Sequence, residues 1–184
     1  QGNGAFGADT GTSLENLLME LSHLDGKFGL RVGMLNPMLV AGRSHEMAKA
    51  WGDPRTYKFM HLPIQSGSQK ILNTMVRDHT LEEFWEVVNV FREHYPEMMI
   101  ITDVITGFPG ETDEDHQETI SLLEKLLPDL VNVTRFSPRK GTPASRYKRI
   151  NGRIIKKRSR ELTVLRKELG ARSFKQFEGR KTSI

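Results

Sequence analysis

The stretch Met98-Met99-Ile100-Ile101-Thr102-Asp103-Val104-Ile105-Thr106-Gly107-Phe108-Pro109-Gly110-Glu111 decides the fold of this chain. It passes from a buried-strand pattern, through a Gly/Pro turn, into an acidic helix start. A strand ending in a glycine-rich turn exposes backbone N–H and C=O groups at the carboxyl edge of a sheet, where open and closed α/β folds place their ligands. Three more short apolar or alternating runs read as strands, at residues 30–35, 57–64 and 130–136. Each runs into a turn: Asn36-Pro37, Gln65-Ser66-Gly67-Ser68, and Ser137-Pro138-Arg139-Lys140-Gly141-Thr142-Pro143.

Helices separate these strands. Thr12-Ser13-Leu14-Glu15, Thr80-Leu81-Glu82-Glu83 and Thr112-Asp113-Glu114-Asp115 are helix starts in which a Thr oxygen takes an orphan N–H and acidic side chains favour the positive helix end. Leu14, Leu17, Leu18 and Leu21 follow the first, Leu81, Phe84, Trp85, Val88 and Phe91 the second, and Ile120, Leu123 and Leu127 the third. A last helix is expected over 152–177, with Ile155, Leu162, Leu165 and Leu169 at helical spacing. Strands alternating with helices, without tight hairpin signals, predict βαβ units and a parallel sheet. Right-handed crossovers then bring all four turns to one edge.

The chain has 184 residues, the size of one domain or a large piece of one, and is 37 % hydrophobic and 27 % charged. No apolar run approaches the ~18–20 residues of a membrane span, so no membrane partner is expected. It contains no cysteine, which excludes disulfides, thiolate zinc sites and iron–sulfur ligation within these residues, and the expected compartment is the cytoplasm. A start at Gln1, with no signal-peptide pattern, suggests a fragment of a longer protein.

The net charge of +4 hides an asymmetry: residues 1–134 hold 10 Lys/Arg against 20 Asp/Glu, and residues 135–184 hold 17 against 3. Between Arg135 and Arg160 lie eleven basic residues and no acidic one. Such a block is either a polyanion footprint or the solvated face of a terminal helix.

Several residues admit a binding role beside a structural one. Gln65, Ser66 and Ser68 have the chemistry to bond a ribose or carboxylate, or they make a turn and an N-cap. Thr102, Asp103 and Thr106 interrupt a hydrophobic strand, and polar groups there need partners. Glu111 meets a ligand or caps the next helix; Arg77, following a helix at 71–75, is an anion ligand or an ordinary C-terminal cation. His61 reads as structural. No Ser/His/Asp triad, P-loop lysine, HExxH or G-x-G-x-x-G can be assembled from the sequence.

Four ordered strings together resemble the radical S-adenosylmethionine methylthiotransferases, which modify tRNA bases. They are His61-Leu62-Pro63-Ile64-Gln65-Ser66-Gly67-Ser68, Met75-Val76-Arg77, Thr102 through Glu111, and Ser137-Pro138-Arg139-Lys140-Gly141-Thr142-Pro143-Ala144. The resemblance runs from Gly4-Ala5-Phe6-Gly7 to Glu178-Gly179. Arg31-Val32-Gly33-Met34-Leu35-Asn36-Pro37 is most similar to the archaeal and eukaryotic branch acting on N6-threonylcarbamoyladenosine.

The resemblance implies the latter part of a partial (β/α)6 TIM-like barrel, an α/β fold of parallel strands with outer helices. Residues 1–178 would run from the end of strand two through strand six and the final helix. Residues 179–184 would begin a linker to a missing RNA-binding TRAM domain. It implies two [4Fe–4S] clusters held by cysteines outside this chain, reductive cleavage of S-adenosylmethionine, and sulfur insertion and methylation at C2 of the adenine beside the anticodon. Carried over by motif position, Gln1 would lie near the methionine end of the cofactor, Gln65 and Ser66 near its ribose, and Thr102, Asp103 and Gly107 near the adenosyl group. Arg77 would face the carboxylate, and Phe136 would offer backbone contacts to adenine. Arg139, Lys140, Arg146, Lys148 and Arg149 would meet phosphates of a tRNA anticodon stem-loop.

No catalytic residue and no metal ligand is expected in the chain itself, so alone it should be inactive. The remaining readings are a cysteine-free RNA-binding module and a sister enzyme acting on isopentenyladenosine tRNA or on an aspartate of a ribosomal protein. A barrel strand without its neighbour leaves an unpaired edge, so the isolated chain should self-associate or have a disordered N-terminus.

Overall fold

The polypeptide follows the expected alternation, and its chain divides into two units. A computed structural model describes residues 3–175 and 177–179. The first unit comprises Gln1–Ile64 and Arg77–Ile101, the second Gln65–Val76 and Thr102–Ile184.

In the first unit a short 3-10 turn at Asn3–Ala5 precedes helices α1 (Leu14–Ser22), α2 (Pro37–Val40) and α3 (Ser44–Ala50), then strand β1 (Phe59–His61). The first α-helical cap is Ser13, one residue after the expected Thr12, with its hydroxyl accepting the Asn16 N–H at 3.2 Å. The sequence signals passed over α2 and α3. Helix α3 has no side-chain cap of its own, because Arg43 at that position makes none. Instead Glu86 accepts the Gly42 N–H at 2.9 Å and the Ser44 hydroxyl at 2.6 Å.

Helix α5 (Leu81–His94), which carries Glu86, starts with the expected capping box, Thr80 accepting from Glu83 N–H and the Glu83 carboxylate from Thr80 N–H. Its apolar stripe, Phe84, Val87, Val88 and Phe91, is fully buried, as are Met47 and Trp51 from the α3 region. Trp51 sets its ring edge-on to Phe91 at 5.2 Å and donates its indole N–H to the Tyr57 carbonyl. Each such side chain contributes about 1.5–3 kcal/mol by burial.

Strand β1 pairs in parallel with the first residues of β2 (Met99–Thr106), Phe59 opposite Met99 and His61 opposite Ile101. The sheet order is β1-β2-β3, with β3 spanning Leu130–Arg135. The strand expected over 30–35 does not form as a ladder. It contributes two isolated parallel bridges, Leu30 with Thr56 and Met34 with His61. Gly33 sits between them, and the Met34 carbonyl is taken by the Asn3 N–H at 2.9 Å, so the 3-10 turn occupies part of the edge where another strand would pair. The run at 57–64 is also shorter than expected, because the register with β2 shifts by one residue between His61, opposite Ile101, and Gln65, opposite Val104. Pairing resumes at the isolated bridge of Gln65 with Val104.

The second unit adds α4 (Gln69–Thr74), α6 (Asp113–Leu126), a 3-10 turn at Pro143–Arg146 and α7 (Gly152–Lys175). Helix α6 opens with a second capping box, Thr112 with Asp115. Helix α7 packs on β3 and α6, burying Leu162 and Leu169.

Gly67 lies where α6 comes closest to the strand-end turn: a Cβ there would be 2.5 Å from Thr119 Cα and 2.6 Å from the Glu118 carbonyl oxygen. Both atoms are backbone, so Gly67→Ala should force α6 away and lower stability by about 1–3 kcal/mol, read as a lower urea midpoint. An unchanged midpoint would contradict that close approach.

Candidate functional site

The turn that ends β2 is built around two left-handed glycines, Gly107 at φ +79° and Gly110 at φ +88°. Gly107 is required twice over. Its φ suits glycine, and a Cβ would stand 2.7 Å from Ile155 on α7. Its N–H donates to Glu111 Oε2 at 2.8 Å. Arg158 Nη1 donates to the same oxygen at 2.8 Å and to the Glu111 carbonyl at 3.0 Å, and Nη2 donates to Asp113 at 2.7 Å. Arg158 and Glu111 are 4 % and 6 % exposed, so this is a dry ion pair. The capping reading of Glu111 is overturned: it anchors its own turn, while Thr112 and Asp115 cap α6. Sequence reasoning missed Arg158, which was one cation within a basic block.

Strand alternation sorts the polar residues of β2 onto opposite faces. Ile100, Thr102, Val104 and Thr106 are buried; Met99, Ile101, Asp103 and Ile105 are half-buried. Thr102 and Asp103 therefore do not share a face. Gln65 is in register with Val104 of the first group: its N–H donates to the Asp103 carbonyl and its carbonyl accepts from Ile105, both at 2.8 Å. Gln65 adopts φ 72°, unusual for a side-chain-bearing residue, and its amide group makes no hydrogen bond among the described residues. Asp103 accepts from Asn132 Nδ2 on β3 at 2.7 Å. Asn132 was not singled out from sequence; its alternation with Val131 and Val133 was the available signal. Thr106, fully buried, has a hydroxyl with no hydrogen-bond partner among the described residues.

Ser66 and Ser68 are buried against α6. Ser66 Oγ accepts the Ser68 N–H at 3.2 Å and lies 3.5 Å from Thr119 Oγ1, while the Gly67 N–H donates to Thr119 Oγ1 at 2.9 Å. Ser68 precedes α4 but makes no side-chain cap; its hydroxyl donates to Asp115 at 2.7 Å. Lys70 reaches the other Asp115 oxygen at 2.6 Å, and that oxygen also accepts the Thr112 N–H at 2.8 Å. Burial by itself would raise the Asp115 carboxyl, but the hydrogen bonds from Lys70, Thr112 and Ser68 prevail and hold it at about 2.

Arg77 is exposed in the first unit, directly after Val76 in a left-handed conformation at φ 54°. Phe136 donates its N–H to the Thr106 carbonyl at 2.8 Å and sets its ring against Phe108. Arg139, Lys140, Arg146, Lys148 and Arg149 are all exposed, and none makes an ion pair among the described residues. Gln1 lies outside the described residues. The second unit therefore brings together Gln65, Asp103 and Asn132, and it places Thr102, Thr106, Gly107 and Phe136 along the same strand ends.

The sequence profile of the Radical SAM superfamily matches residues 5–123. A probable threonylcarbamoyladenosine tRNA methylthiotransferase of Archaeoglobus fulgidus is 43 % identical over 185 residues, covering 100 % of this chain and 44 % of the relative. The threonylcarbamoyladenosine tRNA methylthiotransferase of Xenopus laevis is 41 % identical, covering 88 % of this chain and 29 % of the relative. The chain thus spans less than half the length of these curated relatives. Coproporphyrinogen III oxidase (HemN) from Escherichia coli, a solved structure, superposes with a TM-score of 0.64 over 85 % of this chain and 36 % of that one. At 16 % identity that likeness establishes the shared α/β barrel architecture.

Two substitutions test the site's framework. Arg158→Met leaves Glu111 buried without its counter-charge and should cost about 3–5 kcal/mol in urea unfolding; a loss below ~1 kcal/mol would show that the pair does not hold the turn. Asp115, lowered from 3.8 to about 2, contributes ~2 kcal/mol that is present above pH ~4 and lost as the pH falls towards 2. The stability gap between the unsubstituted protein and Asp115→Asn should therefore narrow across that interval, and a pH-independent gap would contradict the assignment.

Proposed function

The chain belongs to the radical SAM superfamily, and from that membership we propose that it is part of a transferase that methylthiolates N6-threonylcarbamoyladenosine in tRNA with S-adenosylmethionine as cofactor. The observation that carries this reading is likeness along the whole chain, 43 % identity over 100 % of it, to a relative bearing that activity in its name. The four ordered motifs of the strand ends support it independently.

The two cofactors of such an enzyme fit this chain differently. Iron–sulfur clusters do not fit: the sequence has no cysteine, and among the described residues no group of three or more His, Asp or Glu is placed to hold a metal. S-adenosylmethionine fits the second unit, where the partnerless Thr106 hydroxyl and the unbonded Gln65 amide lie at strand ends that close in a glycine turn. When bound, this cofactor supplies a methyl group and an adenosyl group to the reaction.

The chain's own residues bind and orient. Gln65, in register with Val104, would meet the cofactor from the strand end, and Asp103, its carboxylate fixed by Asn132, from the half-buried face. Ser66, Thr102 and Gly107 would act by shaping the strand ends, Phe136 by offering backbone beside Phe108, and Arg77 as counter-charge to the carboxylate. Gln1 keeps its proposed place at the methionine end. Arg139, Lys140, Arg146, Lys148 and Arg149 would take tRNA phosphates of the anticodon stem-loop.

Residues 1–178 would be the latter part of the barrel and 179–184 the start of a linker to a TRAM domain. The remaining partners are the cluster-bearing and RNA-binding parts of the same polypeptide and, for the isolated chain, further copies of itself. Among the described residues no helix is long and apolar enough to cross a membrane, and the proposed compartment is the cytoplasm.

The full-length protein, reconstituted with iron, sulfide and reductant, should convert threonylcarbamoyladenosine in tRNA to its 2-methylthio form, detected by mass spectrometry of nucleosides. Failure on that tRNA, with product instead on isopentenyladenosine tRNA or on a ribosomal protein, would overturn the substrate assignment.

A further inference from the structure

The loop after β3 carries an aromatic residue, Tyr147, that the proposed cofactor contacts do not use. Phe108 is nearly buried at 5 % exposure, with Phe136 edge-on at 4.8 Å and Tyr147 edge-on at 6.5 Å. Tyr147 is 40 % exposed, and its hydroxyl makes no hydrogen bond among the described residues. A tyrosine kept solely for packing would bury its ring, and one kept for its hydroxyl would bond it. Here the cluster holds the ring against Phe108 while the residue stays exposed.

The surroundings say what chemistry suits that surface. Arg146, Lys148 and Arg149 flank Tyr147, Arg139 and Lys140 precede it, and residues 139–149 contain no Asp or Glu. Five exposed cations without acidic partners form a field for a polyanion. Cations alone attract phosphates without regard to the bases, whereas an exposed aromatic face among them adds affinity for an unstacked base. In double-stranded RNA the bases are already stacked on one another, so the combination suits a single-stranded segment.

We propose that Tyr147, backed by Phe108 and Phe136, is a stacking platform for an unpaired base of single-stranded RNA whose phosphates run along Arg139, Lys140, Arg146, Lys148 and Arg149. This rests on the tRNA reading above and adds to it the residue that senses a base. Phe108 connects the platform to the β2 turn through its neighbour Gly107, so RNA contact and the candidate cofactor turn share one stretch of backbone.

The test measures binding of a fluorescent 12-nucleotide single-stranded RNA to the full-length protein over a range of salt concentrations, with polyphosphate as a probe lacking bases. Tyr147→Leu retains apolar bulk against Phe108 and should keep the thermal midpoint. It should weaken RNA binding at least about fivefold and leave polyphosphate binding unchanged. Tyr147→Trp should restore or exceed the original RNA affinity. The double variant Arg139→Ala/Lys140→Ala should weaken both ligands and reduce the salt slope by about 1.4. Equal RNA affinity for Tyr147→Leu and the unsubstituted protein would overturn the platform while leaving the tRNA reading standing, as would equal loss of RNA and polyphosphate binding. An unsubstituted protein with no salt-dependent RNA binding would overturn both.

Discussion

Arg158 reaches from the last helix into the turn after β2, where Glu111 takes its guanidinium and the Gly107 N–H on one carboxylate oxygen. Neither charge has access to water, so each depends on the other for the interactions it lost on burial. Such a pair adds little net stability compared with apolar side chains, but it tolerates few alternative geometries. The left-handed Gly107 and the close approach of Ile155 are consequences of the same constraint, since α7 must come within contact of the turn for the arginine to arrive.

A second polar group holds the neighbouring strand end. Asp115 gathers Ser68, Lys70 and Thr112 onto its two oxygens, tying the turn at 65–68 to α6. Thr119, one turn along the helix, takes the Gly67 N–H and completes the attachment. These groups are satisfied by protein, which makes Gln65 and Thr106 stand out as polar groups at strand ends that protein leaves unsatisfied. In the proposed enzyme the satisfied groups provide rigidity and the unsatisfied ones provide recognition. The basic segment is a separate surface, with aromatic rings that give it chemistry beyond charge.

Local rules made much of this legible from sequence. The capping boxes of α5 and α6 were readable because donor, acceptor and spacing lie within four residues. Strand β2 was readable because a short apolar, Ile/Val-rich run that ends in a Gly/Pro turn has few other interpretations. The helix α3 was not, because its N-cap Arg43 gives no capping signal and Glu86 from a different helix holds its start through the Gly42 N–H and the Ser44 hydroxyl. The strand expected at 30–35 formed no ladder because register depends on what lies alongside, and its two bridges, Leu30 with Thr56 and Met34 with His61, are offset from one another by one residue.

The order of strands and helices, the parallel sheet and the placement of ligand turns at its carboxyl edge follow from periodicity and turn chemistry, so the amino-acid sequence determined them unaided. It also carried the family resemblance and the basic block. Tertiary structure alone decided which residues face which partners: that Glu111 anchors a turn, that Ser68 serves Asp115 and not its own helix, that Asn132 steadies Asp103, and that Arg158 is the one basic residue of its block drawn into a buried pair with Glu111. The physical reason is distance along the chain. Hydrogen bonds within one turn of helix are written in adjacent letters, whereas a bond spanning 47 residues exists only once packing has brought its ends together.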